Sequence, residues 1–462
     1  MVSPSNTCAA QTITRLTPPR RWCTDAILSA ELDSAIKAKQ HHVPDQLTSA
    51  HELVPGESAT MKIKSFEFKY LRTGWHLVKS DFSAFNLLVG VSGVGKTKIL
   101  DSLLRVCKTA SANAVNFSEG AEWDFVFEHE GHLYRWEAKV APADFQHGRI
   151  SGDEDDGDDN DGDDNSKEDG KAAFFTYEKV TRDSDIVLIE RKESSFQYEG
   201  KELPKIKNTE SALNVFAAND PVSSIRAGLR KIIKIGHSVE HLYVLAEPGH
   251  YEKLEAKHKR STVGDIKSLR SDFTTKLYLL QKLHPAEYLN IKESFCEIFD
   301  SIEDLRVLKS GDPAVLSDCP PPPKHRDVYY LGIKERGIEN WISPANMSSG
   351  MFRSLMIACQ LSISPKGTVV IVDEIENSLG LNCIHKVAAL MLGKAPEYQF
   401  IISSHHPYVI NKIPISTWKL VSRAGYEVKI TDAAQIGGFQ THSHYDAFTK
   451  LINAREYKQG IQ

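Results

Sequence analysis

The chain has 462 residues, of which 41% are hydrophobic and 25% are charged, a composition typical of a soluble globular protein with more than one lobe. It contains no run of about 18 apolar residues, which argues against a membrane-spanning helix, and its N-terminus lacks the apolar segment of a secretory signal. Its seven cysteines show no C-x-x-C spacing, which argues against a zinc site or a disulfide framework and favours a cytoplasmic protein.

The negative net charge comes from one short stretch. Residues 151–170 contain eleven acids and one lysine, or −10, whereas the whole chain carries −5, so the remainder carries +5. A mildly basic body is compatible with a nucleic-acid neighbour, although it does not establish one. We interpret the acidic run as a solvated, disordered insertion; the alternative is a loop that mimics DNA or binds a trigger.

The first 60 residues differ in character from the rest of the chain. They are rich in Ser, Thr and Pro and show no sustained apolar period. From Met61 the pattern alternates as in a half-buried strand, with Ile63, Phe66 and Phe68 at apolar positions. We therefore expect residues 1–60 to be a poorly structured, dispensable extension and Met61 to open the folded protein.

A glycine-rich loop follows the next apolar segment. Residues 85–90 (FNLLVG) predict a buried strand, and residues 96–106 (KTKILDSLLRV) predict an amphipathic helix. Between them, residues 90–97 (GVSGVGKT) match the pattern G-x-x-x-x-G-K-[ST] of a phosphate-binding P-loop. The strand, loop and helix order is the context that this motif requires, so a glycine turn without a ligand is the weaker interpretation.

The parts of the loop have separate roles in holding a triphosphate. Glycines let backbone N–H groups point at the phosphates, and the helix N-terminus adds a favourable dipole. Lys96 is expected to reach the β- and γ-phosphates, and the Thr97 hydroxyl to bind Mg²⁺. The predicted nucleotide-binding residues of the loop are Gly90, Gly93, Val94, Gly95, Lys96 and Thr97.

The chain changes from strand to helix character after the loop. Residues 122–140 alternate apolar and polar side chains around Glu130 and Gly131, as in a hairpin. Strand-like sequence continues after the acidic run, which predicts that the run interrupts one antiparallel sheet. Residues 235–310 have apolar side chains three and four apart, which predicts helices, and a proline-rich stretch at 319–327 closes this region.

The remaining chain alternates strands and helices, which is expected for a mostly parallel sheet. Residues 368–374 (TVVIVDE) predict a buried strand that ends in two acids. Asp373 fits the carboxylate that holds Mg²⁺, mostly through its water shell, and Glu374 is placed to act as general base on the attacking water. Strands that end in two solvated acids are common, and it is the upstream P-loop that favours the functional interpretation.

Two further stretches bear on the class of protein. Ser348, Ser349 and Gly350 open a predicted helix whose first turn would present free N–H groups. Another apolar strand ends in His405 and His406, at the position of a γ-phosphate sensor. Taken singly, the first is equally well an ordinary capped helix and the second a pair of incidental loop histidines. Their joint order along the chain is the more specific signal.

In that order, GVSGVGKT, MSSGM, VVIVDE followed by ENSLG, and SSHHPYVI resemble the ABC-type ATPases of the RecF, SMC and OLD group. The resemblance implies an α/β P-loop NTPase fold of ABC type, with a mostly parallel sheet, an antiparallel β subdomain and a helical insertion. It also implies Mg²⁺-dependent ATP hydrolysis in a homo-oligomer of at least two chains, in which the signature of one head completes the ATP site of the other.

The family pattern assigns roles to individual residues. Ser348 and Gly350 would contact the γ-phosphate in trans, and His405 would sense it in cis. His405 matches better than His406 because the family histidine lies two residues before the proline, here Pro407. The implied catalytic residues are Glu374, Lys96 and His405, and the implied metal ligands are Thr97 and Asp373.

The sequence departs from the family pattern in places. Ser349 stands where transporter motors usually have glycine, and Met351 where they have Gln or Glu, variants seen in the OLD-like branch. No Q-loop glutamine can be placed after the P-loop helix. An adenine-stacking role for Tyr70 or Trp75 is conceivable, but a core role is the favoured interpretation.

The partner is predicted from the same resemblance. OLD proteins carry a TOPRIM nuclease after the ATPase, whereas this chain has only about 50 residues after Pro414 and a TOPRIM unit needs on the order of 100. A nuclease would then be a separate chain, and the motifs are most similar to the standalone AriA ATPases of the PARIS antiphage systems. That resemblance implies an ATPase that holds an effector inactive and releases it on sensing a phage protein.

Two alternatives remain beside this interpretation. A RecF- or SMC-like ATPase of DNA repair or genome maintenance would bind DNA and hydrolyse ATP faster in its presence. A transporter motor would require a membrane partner and a Q-loop, and the absence of a recognisable Q-loop together with the long insertion makes it the weakest interpretation.

These motifs divide the chain into five segments. The first is the extension at residues 1–60, and the second, residues 61–235, is the first half of the ATPase with Walker A and the antiparallel β subdomain. Residues 236–325 are the helical insertion with its proline-rich exit. Residues 326–425 are the second half with signature, Walker B and H-loop, and residues 426–462 are a C-terminal segment in which residues 445–460 predict a helix.

Overall fold

A computed structural model describes residues 60–143, 172–236, 243–312, 316–319 and 324–436. The predicted extension before residue 60, the acidic run at 151–170 and the predicted helix at 445–460 lie outside the described residues. All described residues belong to one compact unit, Ser58–Gln462.

The described residues form eighteen strands, which are β1 (Met61–Tyr70), β2 (His76–Asp81), β3 (Phe85–Val89), β4 (Ala121–His129), β5 (His132–Ala141), β6 (Phe174–Arg182), β7 (Ile186–Arg191), β8 (Phe196–Tyr198), β9 (Lys201–Leu203), β10 (Ile232–Lys234), β11 (Tyr243–Ala246), β12 (Ile302–Lys309), β13 (Asp327–Glu335), β14 (Trp341–Ile342), β15 (Val369–Val372), β16 (Gln399–Ser403), β17 (Trp418–Ala424) and β18 (Glu427–Asp432).

The α-helices of the described part are α1 (Lys96–Thr109), α2 (Ala212–Val215), α3 (Val222–Leu229), α4 (His250–His258), α5 (Val263–Ser268), α6 (Phe273–Leu283), α7 (Pro285–Cys296), α8 (Ser349–Ile363), α9 (Leu381–Lys394) and α10 (Pro407–Lys412). Short 3₁₀ turns occur at Pro344–Asn346, Ile415–Thr417 and Ala433–Gln435. No helix within these described segments combines the length and the apolar character needed to cross a bilayer.

Most strands belong to one large sheet, in the order β10-β15-β16-β3-β17-β18-β2-β1-β4-β5-β6-β7-β8-β9. Strands β10, β15, β16, β3 and β17 are mutually parallel. Strand β18 is antiparallel to β17 and parallel to β2, and every later pairing in the order is antiparallel. The predicted parallel core and antiparallel β subdomain are therefore two parts of a single sheet.

The parallel strands are covered on both faces, which explains their continuous apolar sequence. All five residues of β3 are buried. Phe85, Leu87 and Val89 enter one hydrophobic core together with side chains of α8 and α9, whereas Leu88 enters a second core together with Ile99 of α1. Successive side chains of a strand point to opposite faces, so β3 is packed between helices from different parts of the chain.

The hairpin that the sequence predicted around Glu130 and Gly131 is present. Strands β4 and β5 are joined at Glu130 and Gly131, which both have positive φ, 52° and 77°. Two consecutive residues with positive φ are the geometry of a tight hairpin turn. Strands β5 and β6 pair antiparallel although the acidic run separates them in sequence, which confirms that the run interrupts one antiparallel sheet.

A smaller sheet accompanies helices α4 to α7, with strand order β11-β13-β12 and β14 paired to β13. The prediction of helices over residues 235–310 is wrong for β11 and for β12. The apolar residues Ile302 and Leu305 are three apart, as in a helix, because an irregularity in register lies between Ile302 and Asp304. From Leu305 the burial pattern returns to that of a strand.

Strands β17 and β18 hold a position that the sequence did not indicate. They connect the parallel core to the antiparallel part by pairing with β3 on one side and β2 on the other. With this addition, the predicted class is confirmed: an α/β P-loop NTPase fold of ABC type with a parallel core, an antiparallel β part and a largely helical insertion.

Candidate functional site

The predicted motifs meet at one edge of the sheet. The P-loop follows β3, Asp373 and Glu374 follow β15, and His405 lies two residues beyond β16. These three strands are adjacent and parallel, so their carboxyl ends lie side by side. Ligands of open α/β sheets bind at this edge.

The P-loop conformation depends on glycine at several positions. Gly93 and Gly95 have φ of 80° and 110°, in the region that other residues rarely adopt. A Cβ at Gly90 would lie 2.6 Å from the backbone oxygen of Val421 in β17, which is too close for any side chain. Val94 is fully buried and anchors the loop in the second core.

Lys96 lies across the loop. Its Nζ donates to the backbone oxygens of Gly90, at 2.7 Å, and Val91, at 3.1 Å. Burial lowers the pKa of Lys96, and the charges of Glu376, Glu374 and Asp373 oppose this lowering, with Glu376 first in size. Three carboxylates therefore act on Lys96.

The acids after β15 are held by Ser403, the last residue of β16. Its Oγ donates to Asp373 Oδ1 at 2.6 Å and accepts from the backbone N–H of Glu374 at 2.8 Å. Glu374 has φ of 45°, an uncommon value for a non-glycine residue, and its side chain lines the cavity above the P-loop. The strained backbone turns this carboxylate toward the nucleotide position.

The two histidines after β16 have different roles. The backbone N–H of His405 donates to Glu376 Oε1 at 2.8 Å, and its Nδ1 lies 3.0 Å from the same oxygen. His405 also lines the cavity. His406 instead caps α10, because its Nδ1 accepts from the backbone N–H of Tyr408. The structure therefore places His405 against the cavity and His406 at the start of α10.

The signature stretch begins α8. Ser348 is the N-cap, and its Oγ accepts from the backbone N–H of Met351 at 3.3 Å. A Cβ at Gly350 would lie 3.0 Å from the backbone oxygen of Ser378, so glycine allows the start of α8 to approach the turn after Glu374. Ser348 is exposed, and neither Ser348 nor Gly350 is among the described residues that line the cavity.

The cavity above the P-loop has a volume of about 1100 Å³. Its lining includes His405, Glu374, Arg423 and Tyr426. The P-loop and the start of α1 also line it, through Gly93, Gly95, Lys96, Thr97 and Lys98. This volume is slightly above the range of about 300–1,000 Å³ that is usual for small-molecule sites, and it suits a nucleoside triphosphate.

The aromatic residues near this cavity divide into buried and exposed ones. Tyr70 and Trp75 are 5% and 3% exposed, and Lys98 Nζ lies over both rings at 4.8 and 4.9 Å. Tyr426 is 67% exposed, and its ring packs beside Gly74. Tyr70 and Trp75 are core residues, so Tyr426 is the aromatic side chain in this cavity with an accessible face.

The donor set fits a magnesium ion. No group of three His, Cys, Asp or Glu side chains forms a ready metal site in the described segments. Mg²⁺ in nucleotide sites is usually bound by one or two protein oxygens together with phosphate oxygens and water. The hydroxyl of Thr97, at the start of α1, and the carboxylate of Asp373 are oxygen ligands of this kind.

Sequence reasoning missed three residues that organise the site. Ser403 and Glu376 lie within SSHH and ENSLG, and Arg353 lies in the predicted helix after the signature; the motifs assigned a role to none of them. Arg353 is 1% exposed and donates to backbone oxygens at the ends of two strands. A single charge within a helix of otherwise uncharged residues was the available signal for Arg353; no comparable signal marked Glu376.

Solved structures of SMC heads share weak similarity with the chain. An SMC head bound to the C-winged helix domain of ScpA matches at 16% identity and TM-score 0.41, over 80% of this chain and 97% of that one. The SMC head domain from Thermotoga maritima matches at 12% identity and a TM-score of 0.37, over 80% of this chain and 98% of that one. A Smc head domain with an extended coiled coil, bound to the C-terminal domain of ScpA and derived from Pyrococcus furiosus, matches at 13% identity and a TM-score of 0.43. That match covers 80% of this chain and 96% of the other. At these scores we draw no functional conclusion from the similarity.

No curated protein matches the chain. A family model does match, over residues 85–411, which is more than half of the chain and includes the P-loop, the acids after β15 and His405. The chain therefore belongs to the family described as AAA domain, putative AbiEii toxin, Type IV TA system.

Proposed function

We propose that the chain binds ATP with Mg²⁺ and hydrolyses it to ADP and phosphate. The observation that carries this proposal is the convergence of Lys96, Glu374 and His405 on one cavity at the carboxyl ends of β3, β15 and β16. A lysine on a glycine loop, two acids at a strand end and a histidine after the next strand are the parts that phosphoryl transfer to water requires.

Each residue has one task in the proposed reaction. Backbone N–H groups of the P-loop and Lys96 hold the β- and γ-phosphates and neutralise their charge. Thr97 and Asp373 would hold Mg²⁺, which supplies charge neutralisation between these phosphates when bound. Glu374 accepts a proton from the attacking water as its oxygen bonds to the γ-phosphorus and the bond to the β,γ-bridging oxygen breaks.

The site needs a second copy of the chain. Ser348 and Gly350 lie at the exposed start of α8, outside the cavity that holds Lys96. The first turn of a 15-residue helix offers unpaired N–H groups to an anion. We infer that α8 of one copy faces the γ-phosphate bound by another, so that ATP stabilises a homo-oligomer with composite sites.

The output of this oligomer is control of a separate effector, which we propose to be a TOPRIM-type nuclease acting in antiphage defence in the cytoplasm. The trigger would be a phage protein or DNA. The support is the motif order together with the toxin–antitoxin wording of the family description. The alternative, a RecF- or SMC-like role in DNA maintenance, uses the same site.

The purified full chain tests the enzymatic part of the proposal. We expect phosphate release from ATP with MgCl₂, none with excess EDTA, and ATP-dependent growth of the oligomer by light scattering. A chain that binds no ATP would refute it. Co-expression with the product of an adjacent TOPRIM-type gene tests the effector, whereas DNA-stimulated hydrolysis without such a partner would support the alternative.

A further inference from the structure

Glu376 is a carboxylate at the site that none of the motif roles uses. It lies in the turn after β15, three residues beyond Asp373, and its side chain is 8% exposed. A carboxylate withdrawn from water costs free energy unless hydrogen bonds compensate the charge. The burial of this side chain therefore requires an explanation.

One oxygen of Glu376 makes two contacts with the same residue. Oε1 accepts from the backbone N–H of His405 at 2.8 Å and lies 3.0 Å from His405 Nδ1. The other oxygen, Oε2, is buried and has no hydrogen-bond partner among the described residues. Most buried polar atoms have a hydrogen-bond partner, so an unpaired one calls for an explanation, and a functional role is one such explanation.

The two contacts fix both the backbone and the ring of His405. The imidazole is 48% exposed, so without a partner it would change rotamer freely. With Nδ1 directed at Glu376, Nε2 is the ring nitrogen left to face the cavity that His405 shares with Lys96 and Gly93. The hydrogen bond made by one ring nitrogen of a histidine commonly determines which of the two nitrogens carries the proton.

The same carboxylate acts on the P-loop lysine. Burial lowers the pKa of Lys96, and Glu376 is the largest of the charges that oppose this lowering. Glu376 therefore has a direct contact with His405 and a through-space effect on Lys96.

We propose that Glu376 is a positioning residue that holds His405 with Nε2 toward the γ-phosphate, and that it contributes to turnover through His405 and not by touching the nucleotide. This inference rests on the proposed ATPase function. The two glutamates therefore have different roles. Glu376 acts through His405, whereas Glu374 acts directly on the attacking water.

A double-mutant cycle on the full chain tests the proposal. Glu376→Ala is expected to lower kcat for ATP by about 10- to 100-fold, with KM changed less than about threefold, because a misplaced group costs turnover more than binding. Glu376→Gln keeps an acceptor oxygen for the His405 N–H groups, so its kcat should fall between those of the wild type and Glu376→Ala. In a His405→Ala background, adding Glu376→Ala should lower kcat by less than about twofold.

A matched control is available in the antiparallel part of the sheet. Asp183 Oδ2 lies 2.8 Å from His132 Nδ1, which is another carboxylate–histidine pair, and neither residue lines the described cavity. Asp183→Asn should leave kcat and KM unchanged. If Glu376→Ala fails to fold by circular dichroism, Glu376→Gln with and without His405→Ala supplies the same cycle.

The outcomes separate the two proposals. An unchanged kcat in Glu376→Ala, or a loss of full size in the His405→Ala background, would overturn the positioning role while leaving the ATPase intact. A wild-type chain that hydrolyses no ATP would overturn the proposed function and this inference with it.

Discussion

Arg353, in the second turn of α8, donates from Nη2 to the backbone oxygen of Asp373 at 3.3 Å. Its Nη1 donates to the backbone oxygens of Ile235 and Gly236, at 3.3 and 3.0 Å. One guanidinium therefore ties the signature helix to the end of β15 and to the residues that follow β10. Burial lowers the pKa of Arg353 to about 10, and the charge of Asp373 opposes this lowering.

Replacement of Arg353 should destabilise the fold. Arg353→Ala leaves buried backbone oxygens without donors, and we expect the free energy of unfolding to fall by about 2–5 kcal/mol. Urea denaturation followed by circular dichroism measures this loss. Arg306→Ala is the control, since Arg306 is 56% exposed in its ion pair with Asp304 and should cost about 0–1 kcal/mol. Equal losses in the two variants would contradict a structural role for Arg353.

Lys96→Ala should abolish ATP binding. In the proposed reaction the lysine is the cation that holds the phosphates, and its removal also frees the backbone oxygens of Gly90 and Val91. We expect no saturable binding of a fluorescent ATP analogue at concentrations that saturate the wild type. Lys366→Ala, at an exposed ion pair with Glu397, should bind normally. Retained binding in Lys96→Ala would refute the P-loop assignment.

Glu374→Gln should separate binding from hydrolysis. An amide cannot accept the proton of the attacking water, so phosphate release should fall by about 10²- to 10⁴-fold while the affinity for ATP is kept. The ATP-bound oligomer should then persist, which size-exclusion chromatography with light scattering can detect. Hydrolysis at the wild-type rate would remove Glu374 from the role of general base.

Ser348→Arg should block assembly without removing nucleotide from the single site. Ser348 is exposed at the start of α8, where a long cationic side chain would obstruct an approaching second copy. We expect ATP to bind with an unchanged Kd but to produce no larger species and no turnover. Ser301→Arg, at an exposed position before β12, is the control. Unchanged oligomerisation and turnover in Ser348→Arg would count against composite sites.

Tyr426→Ala should weaken the binding of the nucleobase end of ATP. The exposed ring lines the same cavity as Lys96 and His405, and loss of aromatic packing costs about 0.5–1.5 kcal/mol, or roughly 2- to 12-fold in Kd. Tyr426→Phe should bind as the wild type does. Inorganic triphosphate has no base, so the affinity with which it competes against ATP should be the same in Tyr426→Ala and the wild type. An equal loss of affinity for triphosphate would show that Tyr426 does not contact the base.

Local patterns predicted much of this molecule. The P-loop lies between β3 and α1 because an apolar run, glycines and an amphipathic helix follow one another over residues 85–106, and such order is visible in sequence. The hairpin at Glu130 and the acids after β15 were predictable for the same reason. The acidic run at 151–170 did not obscure the pairing of the strands on either side of it.

The remaining features depend on contacts between distant parts of the chain. Glu376 and Arg353 take their roles from His405 and from the strand ends they touch, which no local period encodes. Strand β12 was missed because its irregular start imitates helical spacing. The position of β17 and β18 in the sheet follows from pairing with β3 and β2, strands more than 300 residues earlier in the sequence.

The contact between Gly90 and Val421 has a consequence for biosynthesis. The backbone of Val421 forms the wall against which the loop closes, and β17 is made long after the loop itself. During translation, the emerging first half therefore carries its glycine loop without that wall. Truncated products that end before residue 418 should accordingly be unable to bind ATP. They should therefore not compete with the complete protein for it.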